Sequence, residues 1–304
     1  MLPKVTVGVP VYNGERYLRA TLRALQEQSL SEIEVIISDN GSTDATREIG
    51  EEFAAADSRF TFLRSEVNRG LSGNYNVVLE RATAPLFMWN ASDDFIRPDH
   101  LLACRTALMA HPEASIAFSR VDHVDSDGAS IGSLDDEGLD FLSLRPSARV
   151  ELFLRRQVYQ AIGYGGLFRT AELREVGGLP GYFGSDIVLG VRMAMRSPWV
   201  QVPRALFVSR MHDQQASKTQ GGDIAEQLRR YDPTSTRQYG FPQWNLDAQL
   251  IRAALRSPAP PIERVRAVGS IVSRWVAPNW RLLPFDIKRN LIHLVRGRYV
   301  GAYH

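Results

Sequence analysis

Pro85-Leu-Phe-Met-Trp-Asn-Ala-Ser-Asp-Asp94 decides how the chain is read, because an apolar run stops abruptly at two adjacent carboxylates. In an open α/β sheet, ligands bind beyond the carboxyl ends of the strands, so a strand ending here puts Asp93 and Asp94 at the rim of a pocket. Oxygen ligands of this kind suit Mg²⁺ or Mn²⁺, ions that complete their shells with substrate phosphates. Taken alone, the pair reads more simply as a solvated turn followed by a helix cap. The neighbouring strands decide between the two readings.

Upstream, Val5, Val7 and Val9 form a short β-branched run closed by Pro10, a first buried strand that delivers Pro10-Val-Tyr-Asn-Gly14 to the sheet edge. Tyr17, Leu18, Thr21, Leu22 and Leu25 recur at helical spacing as far as Gln28, and Ile33 to Ile37 make a second strand. A β-α-β unit of this kind predicts parallel pairing. The second strand ends in Ser38-Asp-Asn-Gly-Ser-Thr-Asp44, with Asp39 at the edge and Thr43 or Asp44 placed to cap a helix from about Ala45. A third strand over Phe60 to Arg64, the turn Asn68-Arg-Gly70 and a helix from about Leu71 to Arg81 carrying Asn74 lead back into the opening stretch. Strands alternating with helices in this way predict a doubly wound α/β domain.

In this order and spacing, Val7 to Gly14, Ser38 to Asp44, Asn68-Arg-Gly70 with Asn74, and Ser92-Asp-Asp94 resemble the nucleotide-sugar half of the family 2 glycosyltransferases. The resemblance implies a GT-A fold, a Rossmann-like α/β architecture whose mostly parallel central sheet is flanked by helices. It implies that Pro10, Tyr12 and Asp39 surround the nucleotide base, with the Asp39 carboxylate accepting from a base N–H. Asn68, Asn74 and Asp93 would line the nucleotide pocket, and Gly70 would allow close backbone approach. Asp93 and Asp94 match the family's metal-binding motif. Ala91 stands where a further Asp is usual, which leaves open which of the two is the principal ligand.

Downstream, Pro98 to Ala110 reads as a helix, Ser115 to Arg120 as a strand, and the acidic segment Asp122 to Asp140 as a hairpin or loop. Gly163 to Arg169 resembles the family's acceptor-facing strand, and Val176 to Asp186 the loop that follows it. By that resemblance Asp186 is the catalytic base, in a Ser185-Asp186 pair where many relatives have Glu-Asp. Phe207-Val-Ser-Arg-Met-His212 resembles the family's Arg-x-His motif, which implies His212 as a metal ligand over the diphosphate and Arg210 near the phosphates. The implied chemistry is one in-line displacement. An acceptor hydroxyl attacks the anomeric carbon opposite the nucleotide diphosphate, a carboxylate takes its proton, and configuration inverts.

Composition sets outer bounds. A chain of 304 residues with a single cysteine, Cys104, has no intrachain disulfide framework. Neither a signal-peptide pattern nor a membrane-length apolar run is present, so a cytoplasmic location is expected. The formal net charge of +2 hides an asymmetry: residues 251–304 hold 10 Lys and Arg against 2 Asp and Glu. The expected division is a catalytic domain over 1–220, with a nucleotide-sugar half at 1–94 and an acceptor half at 95–220, and a helical, basic extension over 221–304. The turn-rich stretch from Tyr231 to Trp244 would cover the acceptor side.

Within the extension, Ile262, Val265, Val272 and Trp275 beside Arg264, Arg266 and Arg274 read as a basic amphipathic helix. Ile287, Leu291, Leu294 and Val295 beside Lys288, Arg289, Arg296 and Arg298 read as another. Two roles are open. The helices lie on the inner face of the cytoplasmic membrane and bring the site to a lipid-linked acceptor, or they pack their apolar faces on the catalytic domain. Their arginines alternate with apolar positions instead of aromatic stacking platforms, which argues against nucleic acid as a partner. Ile271 stands where a processive synthase's Gln-x-x-Arg-Trp motif requires Gln.

The sequence therefore points to an inverting glycosyltransferase dependent on Mn²⁺ or Mg²⁺. It would move one sugar from a nucleotide-diphosphate sugar, UDP first and dTDP next, to a saccharide or lipid-linked acceptor in cell-surface polysaccharide or glycolipid assembly. A nucleotidyltransferase would carry a Gly-rich basic loop where Pro10-Val-Tyr-Asn stands. A donor-binding scaffold without catalysis has only Ala91 in its favour.

Overall fold

The computed structural model describes residues 4–134, 137–213, 224–235 and 240–300. Strands and helices alternate from the start: β1 (Val5–Val11), α1 (Glu15–Gln26), β2 (Ile33–Asp39), α2 (Thr46–Ala56), β3 (Phe60–Arg64), α3 (Gly70–Arg81) and β4 (Leu86–Trp89). Every residue of β1 is buried, as befits a central strand covered by helices on both faces. It pairs in parallel with β2, Val5 opposite Ile33 through Val11 opposite Asp39, and on its other side with β4. β3 extends the block beyond β2, again in parallel. The C-terminal ends of these strands consequently share one edge.

The second half continues with β5 (Phe95–Ile96), α4 (His100–Ala110), β6 (Ile116–Val124), β7 (Ser130–Ser133), α5 (Pro146–Arg156), α6 (Tyr159–Gly163), β8 (Leu167–Arg169), α7 (Thr170–Glu175), α8 (Ser185–Arg196) and β9 (Trp199–Arg210). The sheet order is β3-β2-β1-β4-β8-β6-β9-β5, with β7 forming the expected hairpin on β6. The parallel arrangement holds through β4, and beyond it the sheet is mixed. Short β8 runs antiparallel to both β4 and β6, while β9 runs parallel to β6. Two connections matter for the site. Phe95 of β5 pairs with Val208 of β9, which brings the turn before β5 against the chain after β9. From α3, Ser72 Oγ donates to Pro180 O, and Asn76 exchanges hydrogen bonds with Leu179, tying the nucleotide half to the loop before α8.

The extension comprises α9 (Ile224–Tyr231), α10 (Pro242–Leu255), α11 (Pro261–Ile271), a π-helical turn (Val272–Val276), α12 (Ala277–Asn279) and α13 (Leu282–Val300). Leu246, Leu250, Ala253 and Ala254 of α10 are buried beside α8. α11 packs on α5 and α10 through Glu263, Ala267 and Ile271, and Glu263 Oε2 accepts from both Ser147 N and Ser147 Oγ. α13 is held by polar groups: Asp286 Oδ2 accepts from Gln243 N, and Asn290 exchanges two hydrogen bonds with the Gly240 backbone.

Packing of the sequence-read apolar faces on the catalytic domain is thus not what these helices do. Ile262, Val265, Val272, Ile287 and Leu291 are all exposed. Trp275 is the exception, donating from Nε1 to Asp247 and standing edge-on to Tyr159. The side chains of Leu294, Val295, Arg296 and Arg298 lie outside the described residues.

Candidate active site

A cleft of about 660 Å³ opens where β1, β2 and β4 end. Pro10, Val11 and Tyr12 form one wall, Asn40, Asn68, Leu71, Asn74 and Tyr75 another, and Ala91, Ser92 and Asp93 the rim. Arg229, Arg230 and Pro233 close it from the extension. Pro10, Tyr12, Asn68, Asn74 and Asp93, picked out by sequence, therefore meet in one place. α9 and Pro233, at the start of the turn-rich stretch, reach this cleft.

The asparagines hold the cleft together as well as lining it. Asn74 Oδ1 accepts from Ser38 Oγ at 2.6 Å while its Nδ2 donates to Val11 O and Ser38 O, clamping the ends of β1 and β2. Asn68 Oδ1 accepts from Asn40 Nδ2 and Gly70 N, which fixes the turn into α3. Gly70 has φ +76°, and a Cβ there would collide with the Tyr231 carbonyl. The close backbone approach that its sequence suggested is made by the chain's own extension.

Asp39 is fully buried and does not line the cleft; the adjacent Asn40 does. Its Oδ1 accepts from Ser42 N at 2.9 Å, and its Oδ2 pairs with Arg64 Nη1 at 2.5 Å. Arg64, at the end of β3, is a partner that motif reading missed. An ion pair between neighbouring strands leaves no periodic mark in a sequence.

The two rim carboxylates face different surroundings. Asp93 Oδ2 lies 2.8 Å from His212 Nε2, and its side chain is partly open to the cleft. Asp94 is turned into the protein, where Oδ1 accepts from Arg210 N at 2.8 Å. Burial, then the neighbouring Asp93 charge, pushes the Asp94 carboxyl well above its ordinary range. The His212 ring lies 4.9 Å from that of Tyr17. Among the described residues no three His, Cys, Asp or Glu side chains converge as a ready metal cage.

Arg210 does not line the cleft. Its Nε donates to Asp93 O, its Nη1 reaches Asp125 O and Ser126 O, and its guanidinium lies over Tyr17 at 4.7 Å and Phe95 at 5.6 Å. In this geometry it braces the Asp93-Asp94 turn.

Asp186 occupies the second position of α8, which Gly184 enters at φ +73°. Burial raises its pKa, opposed by backbone N–H groups of the first turn. Its charge is felt by Tyr75, Tyr159, Tyr164 and Tyr231, all of which are driven upward first by burial. Tyr75 also feels Asp93 and Asp94, and it lines the cleft. Tyr75 thus lies within electrostatic reach of the rim carboxylates and of Asp186 together. Neither Tyr75 nor the Arg229-Arg230 pair carried a sequence signal.

The family model described as glycosyl transferase family 2 matches residues 6–177. The chain belongs to glycosyl transferase family 2. The match takes in β1 through the start of the loop before α8, so Asp186 and His212 lie beyond it. Among curated family relatives, a putative glycosyltransferase EpsH of Bacillus subtilis is 41% identical over 98 residues, 32% of this chain and 28% of that protein. The chain therefore matches less than a third of that relative's length.

Among solved structures, residues 1–349 of S. aureus TarS in complex with UDP superpose with a TM-score of 0.65 at 16% identity, covering 92% of this chain and 75% of that one. The mannosyltransferase PcManGT of Pyrobaculum calidifontis, in complex with GDP-Man and Mn²⁺, gives 0.59 at 18% identity, covering 100% and 81%. These likenesses establish the GT-A fold of this family 2 chain.

Proposed function

We propose that this chain is an inverting glycosyltransferase that takes a sugar from a nucleotide-diphosphate donor, UDP in the first instance and dTDP next, and passes it to a saccharide or lipid-linked hydroxyl in cell-surface polysaccharide or glycolipid assembly. The observation that carries the reading is the meeting of Asp93 and His212 at 2.8 Å on the rim of a cleft lined by Pro10, Tyr12, Asn68 and Asn74. The UDP bound to TarS supports a uridine donor, and the GDP-Man bound to PcManGT makes guanosine the comparison to run.

A donor lies with its nucleoside against Pro10, Tyr12 and Asn40 and its diphosphate toward Asp93 and α9. The Asp39–Arg64 pair sets an acceptor beside a donor just behind the base. Arg229 and Arg230 bring positive charge to the leaving diphosphate. Asp186 removes the proton of the attacking hydroxyl, and a pKa raised by burial makes its carboxylate a stronger base for that work.

A carboxylate oxygen and an imidazole nitrogen are donors that fit Mn²⁺ or Mg²⁺, with phosphate oxygens and water completing the shell, so Asp93 and His212 would hold the ion. When bound it would offset charge on the diphosphate. In this reading residues 1–220 form the catalytic unit, and the extension from 221 completes its donor cleft. The reaction belongs to the cytoplasmic face of the membrane; among the described residues no helix is long and apolar enough to cross one.

The test is calorimetric titration with UDP, dTDP, GDP and CMP, each in Mn²⁺ and in EDTA, followed by NMR of the anomeric product. Metal-dependent binding of one nucleoside diphosphate and an inverted anomer are expected. Binding indifferent to EDTA removes the metal from the reading; retention of configuration removes the single displacement.

A further inference from the structure

The C-terminal helices are dressed the wrong way round for a protein surrounded by water. On α11 and the turn after it, Ile262, Val265 and Val272 are 56%, 65% and 44% exposed, and with Gly269 they fall at i, i+3, i+7 and i+10 on a single stripe. The buried stripe is the opposite one, Glu263, Ala267 and Ile271. On α13 the inward-facing anchors are polar, Asp286 and Asn290. The outward positions include Leu282, Phe285, Ile287 and Leu291, and Trp280 stands exposed at the break between the helices. A surface helix in water keeps its apolar stripe for the core. Here apolar side chains as large as Trp and Phe cluster outside it, the usual mark of an interaction surface.

We infer that this face docks on an anionic lipid surface. Charge selects the occupant. Residues 251–304 carry a formal +8, from 10 basic and 2 acidic residues, whereas the other 250 residues carry −6, from 26 and 32. A second copy would set the same positive face against itself, and like charges oppose that contact. The basic groups also stand at the level of the rings: the Arg281 guanidinium lies 5.7 Å from the Trp280 ring centroid, and that of Arg289 lies 5.7 Å from Phe285. Exposed apolar side chains interleaved with Arg and Lys on α13 suit a helix lying in a headgroup interface. Since no described helix is long and apolar enough to span, the contact is superficial. The inference stands on the extension's own faces and does not depend on the glycosyl-transfer reading.

Sedimentation of the full chain with vesicles tests it, using phosphatidylcholine alone and phosphatidylcholine mixed with phosphatidylglycerol. The expected result is partition onto the mixed vesicles, little onto the neutral ones, and release in high salt. A Phe285→Ser/Leu291→Ser double variant should lower partition by roughly tenfold or more, the loss expected when two large apolar side chains no longer insert. Arg281→Glu/Lys288→Glu should lower it by a similar factor while leaving every apolar side chain in place. Trp280 supplies a second readout. A blue shift of tryptophan fluorescence on mixed vesicles should be absent in Trp280→Phe, and an unchanged circular-dichroism melt of each variant reports that the chain is folded. Equal partition onto neutral and anionic vesicles, or partition unaffected by either double variant, overturns the inference. So does a dimer in sedimentation equilibrium that Phe285→Ser/Leu291→Ser dissolves, because the face is then occupied by a second copy.

Discussion

Asp186, the base in the proposed reaction, illustrates how such a role would work against stability at a single residue. Its folded pKa is raised by burial, so the native state favours the protonated form. The stability this confers is fully present below the unfolded pKa and is lost as pH rises through the folded one. At neutral pH the ionised side chain is therefore a burden that Asp186→Asn relieves. The variant should melt higher than the parent at pH 7 in a calorimetric scan while kcat falls by about 10²–10⁴, with UDP affinity nearly unchanged. The same shift moves the acidic limb of the kcat/KM profile to higher pH, because the proposed base must be ionised to act. Asp39 behaves in the opposite way. Arg64→Leu would strip a fully buried carboxylate of its cation, and urea denaturation should register a loss on the order of 3 kcal/mol. An unchanged unfolding midpoint would mean that Ser42 N alone satisfies Asp39.

At the scale of elements, α9 and α3 meet where Gly70 leaves no room for a side chain. Gly70→Ala combines φ +76° with a clash against Tyr231, at a cost of about 1–3 kcal/mol. It should also weaken nucleotide binding beyond what stability explains, since α9 carries the arginines of the cleft. Replacing Arg229 and Arg230 by Ala should raise the Kd for UDP about tenfold or more, in keeping with roughly 1.5–3 kcal/mol for a charge-assisted hydrogen bond. An unaltered Kd would take α9 out of the donor site.

The strand-end blocks around Pro10, Asn68 and Asp93 were legible in sequence because each is a short local run ending in turn chemistry. Partners distant along the chain were not. Thr43 or Asp44 was read as a helix cap, and Asp44 does accept from Thr46 N, yet its other oxygen accepts from Glu15 N while Glu15 Oε2 accepts from Ala45 N. Two helix starts are stitched together there, and only the nearer half had a sequence signature. The same reason hid Arg64 behind Asp39 and α9 behind Gly70. On α11 and the turn after it the reading grouped Ile262, Val265 and Val272 as one stripe, and they are exposed together, but it put Trp275 with them, whereas Trp275 turns inward to Asp247 and Tyr159.

Across the whole molecule, the extension is joined to the body by satisfied polar groups as much as by apolar packing. Glu263, buried in α11, accepts two hydrogen bonds from Ser147 at the start of α5. Glu263→Ala leaves the Ser147 N–H and hydroxyl without that acceptor in a buried seam, and about 2 kcal/mol of stability should be lost. Unfolding should still follow one cooperative transition, and KM for the donor should not change. Two separate transitions would mean that the extension folds as an independent unit.

The pairing of β5 with β9 has a consequence in time as well as in space. β1 pairs with β2 across a short stretch of chain, Val5 opposite Ile33, whereas its pairing with β4 reaches from Val5 to Leu86, and the nearer contacts form first. Asp93, however, meets His212 only after β9 has been added, and the cleft receives Arg229 and Arg230 later still. A chain growing from its N-terminus therefore has no finished cleft until the extension has been added.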